Sequence, residues 1–305
     1  MHAFLSRIMR VRSQAIIMAA LSLILPPFGF VGGGIMGLAT LRNGIAEGAL
    51  VGGAAMSLAA AAAWVLLGTP APIVVFMVVT GLPILLLAAT LHHTRSLATT
   101  MTVAAFCAVI VVIILQVAVD DPLAWWQEQL RAVLIQPAQG PDLNAETTGN
   151  LEKLIGALAP MMIGLPAGVM FGAILTLFLS RWWHAILDNP GGFRREFHDL
   201  RLDSRLAIAT IIIGCIVTFV DRTSGIGNGF LQILVFLYLF QGLAIFHGIT
   251  AERNASRGWL VGLYALLLLF TDIVMAFLVI IGIIDTWVDF RTRAMDKHKR
   301  NLRNL

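Results

Sequence analysis

The stretch Ser180–Arg205, SRWWHAILDNPGGFRREFHDLRLDSR, decides how this chain is read. It is dense in charge and carries Arg181, Arg194, Arg195, Arg201 and Arg205. Long apolar runs flank it, Leu154–Leu179 before and Leu206–Val220 after. Lys and Arg in short loops between membrane spans mark the cytoplasmic side. The stretch therefore predicts a cytoplasmic loop. It orients everything else and divides the chain into two hydrophobic halves.

The composition supports that reading. Of 305 residues, 58% are hydrophobic and 12% are charged, with a mean hydropathy of +0.87. An average soluble domain is about 25% charged. Apolar runs of about 20 residues indicate membrane spans. They are continuous rather than alternating, which favours helices over a barrel. The expected fold is all-α, a polytopic transmembrane bundle of eight to ten helices. The isoelectric point near 9.6 does not indicate nucleic acid. The basic residues sit beside the spans, where orientation and anionic headgroups account for them. Cys107 and Cys215 fall inside apolar runs as buried small hydrophobes, without a disulfide framework. Arg7, Arg10 and Arg12 followed by Ala15–Leu25 have the outline of a signal peptide. Pro26-Pro27, however, leads into Phe28-Gly29-Phe30 and further apolar sequence, so Ala15–Leu25 is read as a retained first helix.

Outward from the central stretch, the spans follow in order. Phe28–Leu41 is short and Gly-rich, and Leu41-Arg42-Asn43-Gly44 is a turn. Ala46–Leu67, Ile73–Leu91 and Leu97–Val119 are spans, joined at Gly68–Pro72 and at His92–Arg95. Asp120–Lys153 is the longest polar segment. It opens with an amphipathic helix at Trp125-Trp126 and passes through a loop-like Pro137–Asn150. Phe193, Phe197 and Leu200 recur at helical spacing, which suits a short helix on the inner membrane surface. Phe230–Ile249 spans again. Trp259–Ile284 is apolar apart from Thr271-Asp272.

Basic residues choose between two topologies. If Pro26-Pro27 and Thr271-Asp272 are both hairpin tips, ten helices result with both termini cytoplasmic. All basic residues except Arg131, Lys153 and Arg222 then lie inside. If neither break is real, eight helices result and the basic residues divide almost evenly. The first obeys the positive-inside rule far better. In it, Thr271 caps the last helix.

At this point the residues resemble known families. A basic N-terminus, a Pro-containing tip, a short Gly-rich second helix, Leu41-Arg42-Asn43-Gly44 and a Gly/Ala-rich third helix are similar to the start of the substrate-binding S-components of energy-coupling-factor vitamin transporters. Gly191–Phe197 (GGFRREF) and Gly282–Arg291 (GIIDTWVDFR) resemble the YybS-like family of bacterial membrane proteins. That resemblance implies a six-helix S-component-like domain over 1–181 and a cytoplasmic linker with an amphipathic helix over 182–205. Further membrane helices over 206–290 and a basic tail over 291–305 complete it. It also implies that Ala15 and Ala19, four apart on the first helix, pack on a membrane coupling subunit, or serve ordinary internal packing. Phe28 and Phe30, with Trp125 and Trp126, would cover a ligand from outside, or form an interfacial belt.

Other candidates are read from the residues. His92 and His93 point about 100° apart on a helix and make a poor metal chelate. Gly225–Gly229 has glycines like a phosphate loop but no preceding strand, and reads as a turn. Asp272 is either an intramembrane carboxylate or a helix cap. Asp285, Asp289, Arg291 and Arg293 form a helix end or a docking surface, with Asp289 and Arg293 at i, i+4. No Ser/His/Asp set, zinc motif or Walker sequence is present, so no catalysis, metal or cofactor is expected. The expectation is an inner-membrane small-molecule binding or transport subunit without its own ATPase. Its partners would be lipid, a membrane coupling subunit with ATPases, and a small molecule, but not nucleic acid. The alternative is a non-transporting scaffold that recruits partners at the cytoplasmic face.

Overall fold

The computed structural model describes residues 1–25, 27–135, 145–219 and 225–290. Every regular element among them is a helix. The first half comprises α1 (His2–Arg10), α2 (Arg12–Ile24), α3 (Gly29–Asn43), α4 (Ile45–Leu67), α5 (Ala71–Thr94), α6 (Leu97–Ala118), α7 (Pro122–Leu134) and α8 (Ala145–Ile163). Then come α9 (Leu165–Asp188), α10 (Gly192–His198), α11 (Ser204–Phe219), α12 (Gly225–Glu252), α13 (Gly258–Leu269) and α14 (Thr271–Val288). Among the described residues, six helices are long and apolar enough to cross a membrane: α4, α5, α6, α9, α12 and α14. The apolar helices α2, α11 and α13 have 13, 16 and 12 residues. At 1.5 Å per residue α13 is about 18 Å long, well short of the roughly 30 Å hydrocarbon core.

Local chemistry sets the ends. Gly68 terminates α4 in the left-handed region at φ 73°, a conformation that costs glycine no Cβ clash. Pro72 then sits in the first turn of α5, where a missing N–H does no harm. Ser96 Oγ accepts from Thr99 N at 3.2 Å to start α6. Asp121 Oδ1 accepts from Ala124 N at 3.1 Å to start α7, with Pro122 at its first position.

Several boundaries differ from the sequence reading. The run Leu154–Leu179 is broken at Gly164, and α9 continues to Asp188. Ser180–Asp188 is therefore helix, and the connecting loop starts at Asn189. Residues 145–150, read as loop, belong to α8, and Gly225–Gly229 forms the first turn of α12 rather than a turn between spans. The helix at Phe193 ends at His198. The Trp259–Ile284 run breaks at Phe270, one residue before the expected cap. Thr271 Oγ1 instead donates back to Leu267 O at 2.9 Å, and Asp272 is exposed in the first turn of α14. Cys215 is exposed rather than buried. Pro26, residues 136–144, Arg222, and the tail from Arg291 with Arg293, Lys297, Lys299, Arg300 and Arg303 lie outside the described residues.

The packing has two hubs. Helix α3 is surrounded by α2, α4, α5 and α9. Its glycines allow this: a Cβ on Gly34 would lie 2.9 Å from the Trp183 ring, and one on Gly37 would fall on Ser180 Oγ. Small residues bring helix backbones together where the hydrophobic effect gives no help. Ser180 Oγ lies 3.1 Å from Gly34 O and 2.9 Å from Thr176 O. Helix α12 is the second hub, packed on α6, α9, α11 and α14. Phe171 of α9 stacks on Phe240 of α12 and Phe178 meets it edge-on, at 5.1 and 5.2 Å between ring centres. The two halves therefore share one core through α9.

One end of the bundle gathers the basic residues. There Arg12 Nε donates to Glu47 Oε1 at 2.7 Å, Arg42 Nε meets Asp188 Oδ2 at 2.9 Å, and His92 Nδ1 lies 2.9 Å from Leu41 O. Beyond the other end of α6, Arg131 of α7 grips Glu152 of α8 with Nε at 2.9 Å and Nη2 at 3.0 Å. Those hydrogen bonds hold the Glu152 carboxyl below its ordinary 4.5. A depressed carboxyl stabilises the fold above its unfolded pKa, and the contribution is lost as pH falls through the folded one. Protection from hydrogen exchange along α7, taken relative to the intrinsic amide rate at each pH, is expected to fall as acid protonates Glu152 in the native protein. In Arg131→Gln exchange should already be faster at neutral pH and show no such acid step.

Candidate functional site

Polar groups concentrate where α9, α10, α12 and α13 meet. Arg181 is buried in α9, not set in a loop. Its Nε donates to Glu196 Oε2 at 2.8 Å and its Nη2 to Glu196 Oε1. Its Nη1 faces His184 Nδ1 at 3.1 Å, so that ring nitrogen accepts. His184 Nε2 lies 3.8 Å from Asp188, which also holds Arg42. The chain of contacts fastens α10 to α9 and α9 to α3.

The aromatic face of α10 turns onto protein rather than lipid. Phe193 and Phe197 each lie 5.5 Å from Phe178, and Phe197 lies 5.7 Å from the His247 ring. Leu200 and Leu202 are 2% and 3% exposed. Behind them Gln241, fully buried in α12, accepts from Leu202 N at 2.9 Å and donates to Gly282 O at 2.8 Å. Arg201 pairs with Asp289, which ends α14 in the left-handed region. Buried Asp285 accepts from Phe290 N at 2.8 Å. The segments around Gly191–Phe197 and Gly282–Phe290, distant in sequence, are thus held together by the Leu200–Leu202 connection and Gln241.

A cleft of about 800 Å³ opens beside this junction, between α10, α12 and α13. A helix stop shapes it. Asn254 sits at φ 47°, Asn254 N donates to Ala251 O and Ala255 N to Thr250 O. These are the paired bonds of a Schellman stop. The chain turns there and α13 runs back beside the last turns of α12. This brings His247 Nε2 to 2.9 Å from Tyr264 Oη, with the His198 ring 6.3 Å from that of His247. Arg194 enters from α10 and Arg257 from the start of α13. Ala251, Leu260, Val261, Ala265 and Leu268 supply an apolar wall. No acidic side chain lines the cleft among the described residues.

The residues expected to act as sites lie elsewhere. Ala15 and Ala19 are 2% and 1% exposed, inside a cluster of α1–α4 with Trp183. The outward apolar positions of α2 are Ile17 and Leu21. The alanine pair is packed within that cluster. Phe28 and Phe30 are about half exposed at the tip between α2 and α3. Trp125 and Trp126 form an edge-to-face pair, 4.7 Å between centres, beside a crevice of only about 20 Å³ whose walls do not include the phenylalanines. His92 is engaged by the Leu41 carbonyl.

Six candidate spans, three shorter apolar helices and a charged end define a polytopic α-helical membrane protein. The family described as "Predicted membrane protein (DUF2232)" matches residues 14–286, and the chain belongs to it. Neither the curated proteins nor the solved structures contain a match.

Proposed function

We propose that this chain is a small-molecule binding subunit of a bacterial inner membrane, with its ligand site in the cleft between α10, α12 and α13. The carrying observation is the cleft itself. About 800 Å³ is a size that takes a small ligand, and a few convergent polar groups on an apolar wall are what such sites use. By the positive-inside rule the basic end faces the cytoplasm, with both termini there. The ligand is then met from the inside rather than beneath an external lid of Phe28, Phe30, Trp125 and Trp126. The S-component-like reading of the first six helices adds a partner that supplies energy, since no nucleotide-binding motif stands in the sequence. The buried Ala15–Ala19 pair gives that partner no docking face, so coupling is assigned elsewhere on the surface. A second reading, a scaffold that recruits partners, draws on a basic patch formed by Arg7, Arg10 and Arg42 beside α1.

Filling the cleft tests the first reading. Leu260→Trp adds bulk to the apolar wall without changing charge. Mass spectrometry of small molecules retained by the purified native protein should reveal a species that this variant loses, while its elution and melting stay native-like. Identical retained species in both proteins would reject the cleft as a ligand site and leave the scaffold reading ahead.

A further inference from the structure

The cleft is divided by chemistry. Its lining carries Arg194 and Arg257, and Asn254 and Tyr264 add further hydrogen-bonding groups. Thr250 Oγ1 already donates to Phe246 O at 2.7 Å, so toward a ligand it serves as an acceptor. The His247–Tyr264 hydrogen bond fixes those two polar tips on one side. With two guanidinium groups and no carboxylate among the described lining residues, the mouth favours an anion. Guanidinium groups match phosphate oxygens in charge and fork geometry.

The α13 wall of the cleft is apolar apart from Tyr264, whose hydroxyl is engaged by His247. Leu260, Val261, Ala265 and Leu268 form one stripe of α13, and Leu268 is 83% exposed. Because α13 is about 18 Å long, its wall ends at a depth where lipid chains lie. The cleft is thus open sideways as well as at its mouth. A small soluble anion would leave this apolar wall unused, and a neutral apolar ligand would leave the arginines without partners.

We propose that the cleft binds a phosphate-bearing amphiphile, its headgroup between Arg194 and Arg257 and its apolar chain along Leu260, Val261 and Leu268. The assignment rests on the ligand-binding reading above and names its ligand class. A general attraction of a basic protein face for anionic lipid is a separate effect, carried by any basic residue near the surface. The two are separated by residues of equal charge and different place. Arg195 is exposed on α10 next to Arg194 but is not part of the cleft wall.

The test titrates the full-length protein in neutral detergent with phosphatidylglycerol, phosphatidylcholine and the soluble ester glycerol phosphate, and counts bound molecules by native mass spectrometry. Phosphatidylglycerol is expected to bind at one saturable site. Arg194→Gln should weaken it at least several-fold through loss of charge-assisted hydrogen bonds, and the further change Arg257→Gln should bring the loss to about tenfold or more, whereas Arg195→Gln, which removes the same charge as Arg194→Gln, should change it less than twofold. Phosphatidylcholine carries a cationic headgroup beside its phosphate and should bind more weakly. Glycerol phosphate should bind far more weakly because it leaves the apolar wall bare. Equal losses in Arg195→Gln and in Arg194→Gln would reduce the effect to surface charge and overturn the proposal. Binding of glycerol phosphate as tight as that of phosphatidylglycerol would overturn the amphiphile and leave a soluble phosphate ester. Should Leu260→Trp displace a retained molecule that lacks a phosphate, the ligand class falls while the binding reading stands. Should it displace nothing, the binding reading itself falls.

Discussion

Glu196→Ala is expected to destabilise the protein by about 1.5–3 kcal/mol, the range for hydrogen bonds to a charged group, because Arg181 is buried while the Glu196 side chain is 32% exposed. The Arg181 side chain is 8% exposed, so it cannot turn to water when its carboxylate is gone. His184 accepts only one of its hydrogen bonds, and the guanidinium is left with unpaired donors in a largely buried position. The effect should spread. Glu196 is the polar fastening of α10, and α10 carries Arg194 into the cleft and Phe197 against His247. Thermal unfolding of the purified protein, with ligand retention measured alongside, reads both consequences. Arg181→Met with Glu196→Met removes both charges together and should recover much of the loss, because the burial cost disappears with the pair. The control is Glu128→Ala, whose partner Arg131 lies 3.6 Å away at an exposed site, where such pairs contribute about 0–1 kcal/mol. A Glu196→Ala protein that melts with the Glu128→Ala control would refute the buried-pair account.

That pair also shows where sequence reading stopped. Hydropathy runs located most apolar helices within a few residues, because burial in lipid needs only continuous apolar composition; the run Leu154–Leu179 was the exception, divided at Gly164 between α8 and α9. Charge was harder. Arg181 in Ser180–Arg205 looked like a loop residue because a charged side chain at the end of an apolar run usually faces water. Its partner Glu196 is 15 positions away, and Asp188 finds Arg42 across 146 positions. Pairs at those separations leave no periodic trace. Helix α1 escaped notice for a related reason: its inward positions Leu5 and Ile8 are too few to stand out against basic neighbours. The cleft was equally hidden. His247 and Tyr264 sit in separate apolar runs and meet only because Asn254 turns the chain back. Two signals were nevertheless present. Gln241 and His247 are polar residues inside a predicted span, where such residues mark function or helix contacts. Glu252-Arg253-Asn254 also carries an asparagine just where the apolar period fails, a helix-stop pattern.

Gly242→Leu is expected to force α12 and α14 apart, and a matched substitution at Gly262 is not. A Cβ on Gly242 would fall on the Leu278 carbonyl oxygen, and one on Gly282 would come within 2.5 Å of the Tyr238 carbonyl. Both obstacles are backbone, so no rotamer change relieves them. Ordinary overpacking costs about 1–3 kcal/mol, and a collision with a helix backbone should reach or exceed the top of that range. At Gly262 of α13 nothing lies within 4 Å of the same added atom. Leucine there should be neutral or slightly stabilising, because it is a better helix former than glycine by up to about 1 kcal/mol. The contrast extends beyond stability. Gln241, next to Gly242, holds Gly282 O at 2.8 Å and Leu202 N at 2.9 Å. Moving α14 away breaks the first bond, leaves a fully buried amide underused, and weakens its hold on the Leu200–Leu202 connection that positions α10. Gly242→Leu should therefore lower both the melting temperature and the ligand retention of the cleft, whereas Gly262→Leu should spare both. Equal melting of the two leucine variants would show that the α12–α14 approach is not the close contact described.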